Sequence, residues 1–288
     1  MGKKIRQRIT KRTILNWLIA IFLFGVLLGI CFCGVGKEKA DSSVAVVMMG
    51  DSIVGECRDN TSIPAVLAEM LNRNVVNGGL GGTSMGRVNR EGRLAYTKDC
   101  LSMQALAQSI ATSDFGVQQT IFSRENATQY FESTINTLEQ IDFEAVDILF
   151  IGQGINDYHA GIPIAEGEDP YDEYTFTGAL RSTVEILRKS YPKLRIILLT
   201  PTYSWYPLYE EPEQTCENND FGGGILEDYV NAEIELAKEL GVEVIDLYHD
   251  FYPHEVWSEW ELYTRDGLHP NEAGRQLITQ TIYNYVMR

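Results

Sequence analysis

The sequence predicts an α/β domain, a parallel β-sheet covered by helices on both faces. Two observations predict it. Short apolar runs alternate with segments whose apolar residues recur at helical spacing, and clusters of glycine and polar residues stand directly after the runs. A short apolar run bounded by turn residues reads as a strand buried on both faces. Strands that alternate with helices imply parallel order.

The first forty residues stand apart from that pattern. Lys3, Lys4, Arg6, Arg8, Lys11 and Arg12 precede a charge-free apolar run over 14–35, in which Asn16 alone is strongly polar. About 20 apolar residues span a bilayer as a helix, and a basic head stays on the cytoplasmic side. The chain is therefore expected to divide into a cytoplasmic head (1–12), one transmembrane anchor (13–36), a polar linker (37–43) and a domain (44–288) outside the cytoplasm. The alternative is a cleaved signal peptide and a secreted domain, but such a peptide's apolar core is about 7–15 residues long. Cys31 and Cys33 suggest lipid attachment, yet Ile30 and Phe32 are bulky where that modification needs a small residue.

Within the domain, strands are expected at 44–49, 74–77, 146–151, 194–200 and 242–247, five in all. Ser62 can cap a helix that runs to Leu71, with Pro64 tolerated in its first turn. Leu180, Val184 and Leu187 share one helical face, as do Leu226, Val230, Ile234 and Ala237. Leu277, Ile278 and Ile282 mark the last helix. An insertion over 84–143 carries two further helices, one with Met103, Leu106 and Ile110, the other with Phe131, Ile135 and Leu138, which Asn126 can cap. A second insertion, over 201–224, is aromatic and acidic. Both leave the carboxyl ends of strands, where open parallel sheets bind ligands.

Charge limits the partners. The net charge is −16, and six of the 24 Lys/Arg sit in the first twelve residues, so the rest of the chain is still more acidic. Such a surface repels phosphate backbones, which excludes nucleic acid, and it counts against anionic lipid. The domain holds Cys57, Cys100 and Cys216, an odd number, so at most one intrachain disulfide can form. With no CxxC pair and no His/Cys cluster, no metal or other cofactor is expected.

Four clusters carry chemistry: Gly50-Asp51-Ser52, Gly79-Leu80-Gly81-Gly82, Gly154-Ile155-Asn156-Asp157 and Asp266-Gly267-Leu268-His269-Pro270. The first three follow strands and the fourth precedes the last helix. In this order they resemble the blocks of the SGNH (GDSL) hydrolase superfamily, with Ser52, Gly82, Asn156 and His269 at its four defining positions. The resemblance runs from about Val44 to the C-terminus. It implies a flavodoxin-like three-layer α/β/α fold and hydrolysis of esters, often acyl or acetyl groups on carbohydrates or lipids.

The residue chemistry stands beside that resemblance. A serine hydroxyl is a weak nucleophile and needs a base. His269 can take and return its proton, and Asp266 can fix the imidazole tautomer and stabilise the imidazolium. The backbone N–H groups of Ser52 and Gly82 and the Asn156 amide are candidate donors to the oxyanion. Asp51 and Asp157 are expected to brace their loops. Asp246 and His249 repeat the Asp-x-x-His spacing, but Asp266/His269 is preferred because Pro270-Asn271-x-x-Gly274 leads into a closing helix. His159 is expected to line the cleft. Tyr203, Trp205 and Tyr206 are read as packing of a lid, with sugar stacking the alternative. Asn60 and Asn126 lie in glycosylation patterns that helix capping also explains.

The expected activity is hydrolysis of an acylated carbohydrate or small ester. Acyl transfer to an envelope glycan would use the same triad, and product analysis with and without an acceptor separates the two. An inactive glycan-binding module would fail to cleave a small acetyl ester.

Overall fold

The computed structural model describes residues 41–88, 99–121, 129–208 and 213–288. The basic head, the apolar run, linker residues 37–40 and Asn126 lie outside them. Among the described residues no helix is long and apolar enough to cross a membrane.

In chain order the first elements are β1 (Val46–Gly50), α1 (Ser52–Gly55), α2 (Ile63–Leu71) and β2 (Val75–Asn77). The first insertion contributes α3 (Met103–Thr112), α4 (Gly116–Gln119) and α5 (Gln129–Gln140). Next come β3 (Ile148–Gly152), α6 (Ile155–His159), α7 (Phe176–Ser190) and β4 (Arg195–Leu199). The chain closes with α8 (Leu226–Leu240), β5 (Glu243–Ile245), α9 (Trp260–Tyr263) and α10 (Glu272–Val286). All four strand pairings are parallel, and the order is β2-β1-β3-β4-β5.

Alternation along the strands builds three layers. Val46, Met48, Ile148, Phe150, Ile197 and Leu199 face one side, where they pack with Ile63 and Leu67 of α2 and Ile278 and Ile282 of α10. Val47, Met49, Leu149, Ile151 and Leu198 face the other, against residues of α3, α5, α7 and α8. The stripe Leu180, Val184 and Leu187 is fully buried there; burying each such side chain stabilises the fold by about 1.5–3 kcal/mol.

Caps set where the helices begin. Ser62 Oγ accepts from Ala65 N–H at 3.3 Å, and α2 ends on Asn72 in the left-handed region. Thr175 Oγ1 caps α7 through Gly178 N–H at 3.2 Å. Asn271 Oδ1 accepts from Gly274 N–H at 3.0 Å to start α10. The Asn271 amide also donates to the carbonyls of Glu261, Leu262 and Thr264, so one side chain fixes the entry to α10 and the loop before it. Asp41 forms a bridge with Ile141, which ties the chain to the domain from within the stretch expected as linker.

Candidate active site

Ser52 opens α1 immediately beyond β1. Asp51 caps this turn by accepting from Ile53 N–H at 2.8 Å. The first N–H groups of a helix have no partner within it, and the Ser52 N–H is one of these at the start of α1. Burial, with the Asp157 charge adding to it, pushes the Asp51 carboxyl up to about 7.

The loop after β2 lies against the nucleophile. A Cβ placed on Gly81 would stand 3.6 Å from Ser52 Cβ. Gly82 follows at φ 69°, in the left-handed region that favours glycine. Arg58 stitches this loop to α1 by donating to the carbonyls of Gly55, Asn77 and Gly79, and its guanidinium lies 4.3 Å over the Tyr130 ring. Tyr130 in turn accepts from Gly81 N–H at 3.0 Å.

Asn156 stands in the first turn of α6 and donates one amide hydrogen to Thr83 O at 2.8 Å. This bond aims the side chain at the Gly82 loop and leaves its second amide hydrogen for another acceptor. Asp157, fully buried, accepts from Met85 and Gly86 N–H at 2.8 and 2.9 Å. It thereby ties the first insertion to α6, and burial raises its carboxyl to about 6.

Asp266 and His269 share one closed loop. Thr264 and Pro270 bridge across its base, Arg265 N–H donates to His269 O at 3.0 Å, and Gly267 N–H donates to Thr264 Oγ1 at 2.9 Å. Asp266 Oδ1 accepts from the N–H groups of Leu268 and His269 at 3.1 and 2.7 Å, while Oδ2 meets His269 Nδ1 at 2.8 Å. Burial pushes this carboxyl up, but the bonds from His269 and Leu268 outweigh it and hold it below the usual carboxylate range. His269 Nε2 lies 3.0 Å from Ser52 Oγ. Residues 217 positions apart in sequence are thus joined in one hydrogen-bonded line, Asp266–His269–Ser52.

Asp246 and His249 have the same local geometry, with Nδ1 2.8 Å from Oδ2. The outer nitrogen, however, faces Glu227 Oε1 of α8 at 3.5 Å. The structure brings His269, not His249, to Ser52.

The second insertion forms one wall of the site. Trp205 N–H donates to Gly267 O at 2.8 Å. Gly267 adopts φ 90°, and a Cβ there would stand 2.4 Å from Trp205 O, so only glycine lets the two loops meet. Tyr203 and Trp205 are buried at 2% and 1% exposure, and the Tyr203 ring stacks on His254 at 4.2 Å. These two rings are therefore core packing, which corrects the sugar-stacking alternative for them. Tyr206 reaches the cleft edge and meets His159 Nε2 at 2.8 Å.

No disulfide joins Cys57, Cys100 and Cys216 among the described residues; Cys216 is buried and the other two are half-buried. Among those residues no group of three or more His, Cys, Asp or Glu is placed to hold a metal ion.

Sequence reasoning missed Glu56 and Arg265, which pair beside His269. Glu56 stands one helical turn beyond Ser52, a spacing that could have flagged it. The approach of Arg265 from the far end of the chain left no local signal.

Comparison with known proteins adds to this geometry. Residues 48–277 match the sequence profile of the GDSL-like Lipase/Acylhydrolase family. The chain is 30% identical over 112 residues to a human isoamyl acetate-hydrolyzing esterase 1 homolog, covering 38% of this chain and 43% of that protein. It is 30% identical over 141 residues to the mouse homolog, covering 46% and 52%. The matches thus span about half the length of these curated relatives. Among solved structures, a Lactobacillus plantarum protein superposes with TM-score 0.56 at 19% identity, over 86% of this chain and 98% of that one. A protein of Chitinophaga pinensis described as a possible lipase gives 0.55 at 18%, over 85% and 98%. At these identities the likeness is one of fold.

Proposed function

The chain belongs to the GDSL-like lipase/acylhydrolase family, and from that premise we propose that it is a serine ester hydrolase that removes a short acyl group, acetyl, from its substrate outside the cytoplasm. The observation that carries the reading is His269 held between Ser52 Oγ at 3.0 Å and Asp266 Oδ2 at 2.8 Å.

In this reading Ser52 Oγ attacks the ester carbonyl while His269 Nε2 takes its proton. Asp266 holds Nδ1 protonated and stabilises the imidazolium. The Ser52 and Gly82 N–H groups and the second Asn156 amide hydrogen receive the oxyanion. Collapse breaks the bond to the alcohol oxygen, which leaves with the proton from His269. Water, deprotonated by the same nitrogen, then attacks the acyl-serine. The proton returns to Ser52 Oγ as the acid is released. The naming of both curated relatives for isoamyl acetate supports a short acyl group.

The extracytoplasmic location is supported by the basic head and the charge-free run over 14–35. Protease added to intact cells should digest the domain; protection until lysis would overturn the placement.

The activity is tested with the purified full-length chain and 4-nitrophenyl acetate, with and without a chelator. Hydrolysis that resists the chelator and collapses in Ser52→Ala is expected. Undiminished turnover in Ser52→Ala would overturn the mechanism.

A further inference from the structure

A cleft of about 360 Å³ opens beside His269, on the face walled by the second insertion. We propose that it binds the alcohol half of the ester, and that it takes an uncharged alkyl or aryl alcohol rather than a sugar. This inference rests on the hydrolase reading above.

Chemistry decides which half of the ester lies there. The carbonyl oxygen belongs with the Gly82 and Asn156 donors. The leaving oxygen must take its proton from His269, so the group attached to it occupies the space that His269 lines. The volume suits a small organic group. A smaller cavity under the nucleophile turn, among Met48, Val54, Ile63, Leu199 and Ile278, measures about 30 Å³. That is room for about one water, so it does not compete as a seat for the alcohol.

The lining decides the class. Beyond the catalytic loop, the described walls are formed by Tyr206, Pro207, Leu208, Phe221 and His159, with buried Trp205 behind them. Phe221 stands edge-on to the His159 ring at 5.3 Å and 83°, and to Tyr206 at 6.1 Å and 85°. The two polar side chains of this wall already meet each other, His159 Nε2 to Tyr206 Oη at 2.8 Å. A sugar would bring several hydroxyl groups into this space, and each one desolvated without a partner opposes binding. An alkyl or aryl group loses nothing there and gains by burial.

Charge points the same way. Burial, with the nearby His269 adding to it, pushes the His159 ring down to about 4, so it is neutral at neutral pH. Asp266 is engaged with His269. The described lining therefore offers neither a cation for an anionic alcohol nor an unengaged carboxylate for a cationic one, and the Glu56–Arg265 pair beside His269 Nε2 is closed on itself. At the rim, Leu208 is 88% exposed, an apolar side chain that an apolar ligand would cover.

The test uses the purified full-length chain at constant detergent. Acetates of methyl, ethyl, butyl, 3-methylbutyl and benzyl alcohol are compared with a 6-O-acetyl glucoside by kcat/KM. The value is expected to rise about two- to fourfold per added CH2, with the glucoside at or below methyl acetate. Phe221→Ser and Leu208→Ser should flatten that rise. A binding arm needs no turnover: Ser52→Ala is titrated with benzyl alcohol or with glucose while the His159 imidazole is followed by NMR. Benzyl alcohol should shift that signal saturably and glucose should not. A flat ester series, a preference for the glucoside, or an unresponsive His159 would overturn the proposal. If no acetate turns over while benzyl alcohol still moves His159, the hydrolase reading fails and the apolar site stands.

Discussion

The Glu56 carboxylate lies 3.7 Å from His269 Nε2, the same nitrogen that faces Ser52 Oγ at 3.0 Å. With Asp266 on Nδ1, the imidazole stands between two carboxylates. Arg265 pairs with Glu56 and comes within 3.8 Å of Asp266 Oδ2, so one guanidinium offsets both. His159 of α6 lines the same cleft as His269.

Glu56→Gln loosens the ion pair that stands beside the catalytic ring without removing a member of the triad. Both side chains of that pair are about half exposed, and such pairs are worth about 0–1 kcal/mol, so kcat on a small acetate ester should fall by less than about tenfold. A loss of about 10²-fold or more in a folded Glu56→Gln variant would contradict this and place Glu56 in the catalytic machinery itself.

Asp266→Asn should keep the fold and lower kcat by about 10³–10⁴-fold, because the tautomer and the partner of the imidazolium are both lost. Turnover on a small acetate ester together with circular dichroism checks this. A folded variant within tenfold of wild type would contradict it.

Asn156→Ala should lower kcat by about 10²–10³-fold with little change in KM, as expected for a donor that acts in the transition state. A rise in KM at unchanged kcat would instead make Asn156 a ground-state binding residue.

Glu233 of α8 is fully buried, and neither carboxyl oxygen has a partner. Burial, with the charges of Asp157 and Asp246 adding to it, raises its carboxyl well above the usual range. A raised folded-state carboxyl binds protons that the unfolded chain has released, so its contribution is present at low pH and lost as pH rises. Asp51 and Asp157, raised to about 7 and about 6, act in the same direction. In thermal unfolding, Glu233→Gln should gain on wild type as pH rises from 5 to 8, by up to about 2–4 °C per pH unit. A difference in Tm that does not change with pH would contradict this.

Much of the fold was legible because strand signals are local. All five runs became strands, yet their bounds shifted: β1 and β3 extend to Gly50 and Gly152, which pair with each other at the sheet's end. Their ladder continues where hydropathy had already stopped. The four- and five-residue helices α1 and α6, which carry Ser52 and Asn156, are too short to show a period. The site was legible as residue types, and the Pro270-Asn271-x-x-Gly274 run behind it favoured His269, but the Asp-x-x-His spacing itself could not choose the histidine. His249 and His269 make the same bond to the aspartate three residues before them, and what separates them is the long-range placement of Glu227 and Ser52.

That likeness supplies the most direct test of the account. His269→Ala and His249→Ala are compared on one small acetate ester, with circular dichroism on both. The account predicts that His269→Ala loses several orders of magnitude in kcat while remaining folded, and that His249→Ala changes the rate only modestly. An active His269→Ala beside an inactive, folded His249→Ala would contradict it and move the catalytic base to the Asp246 pair.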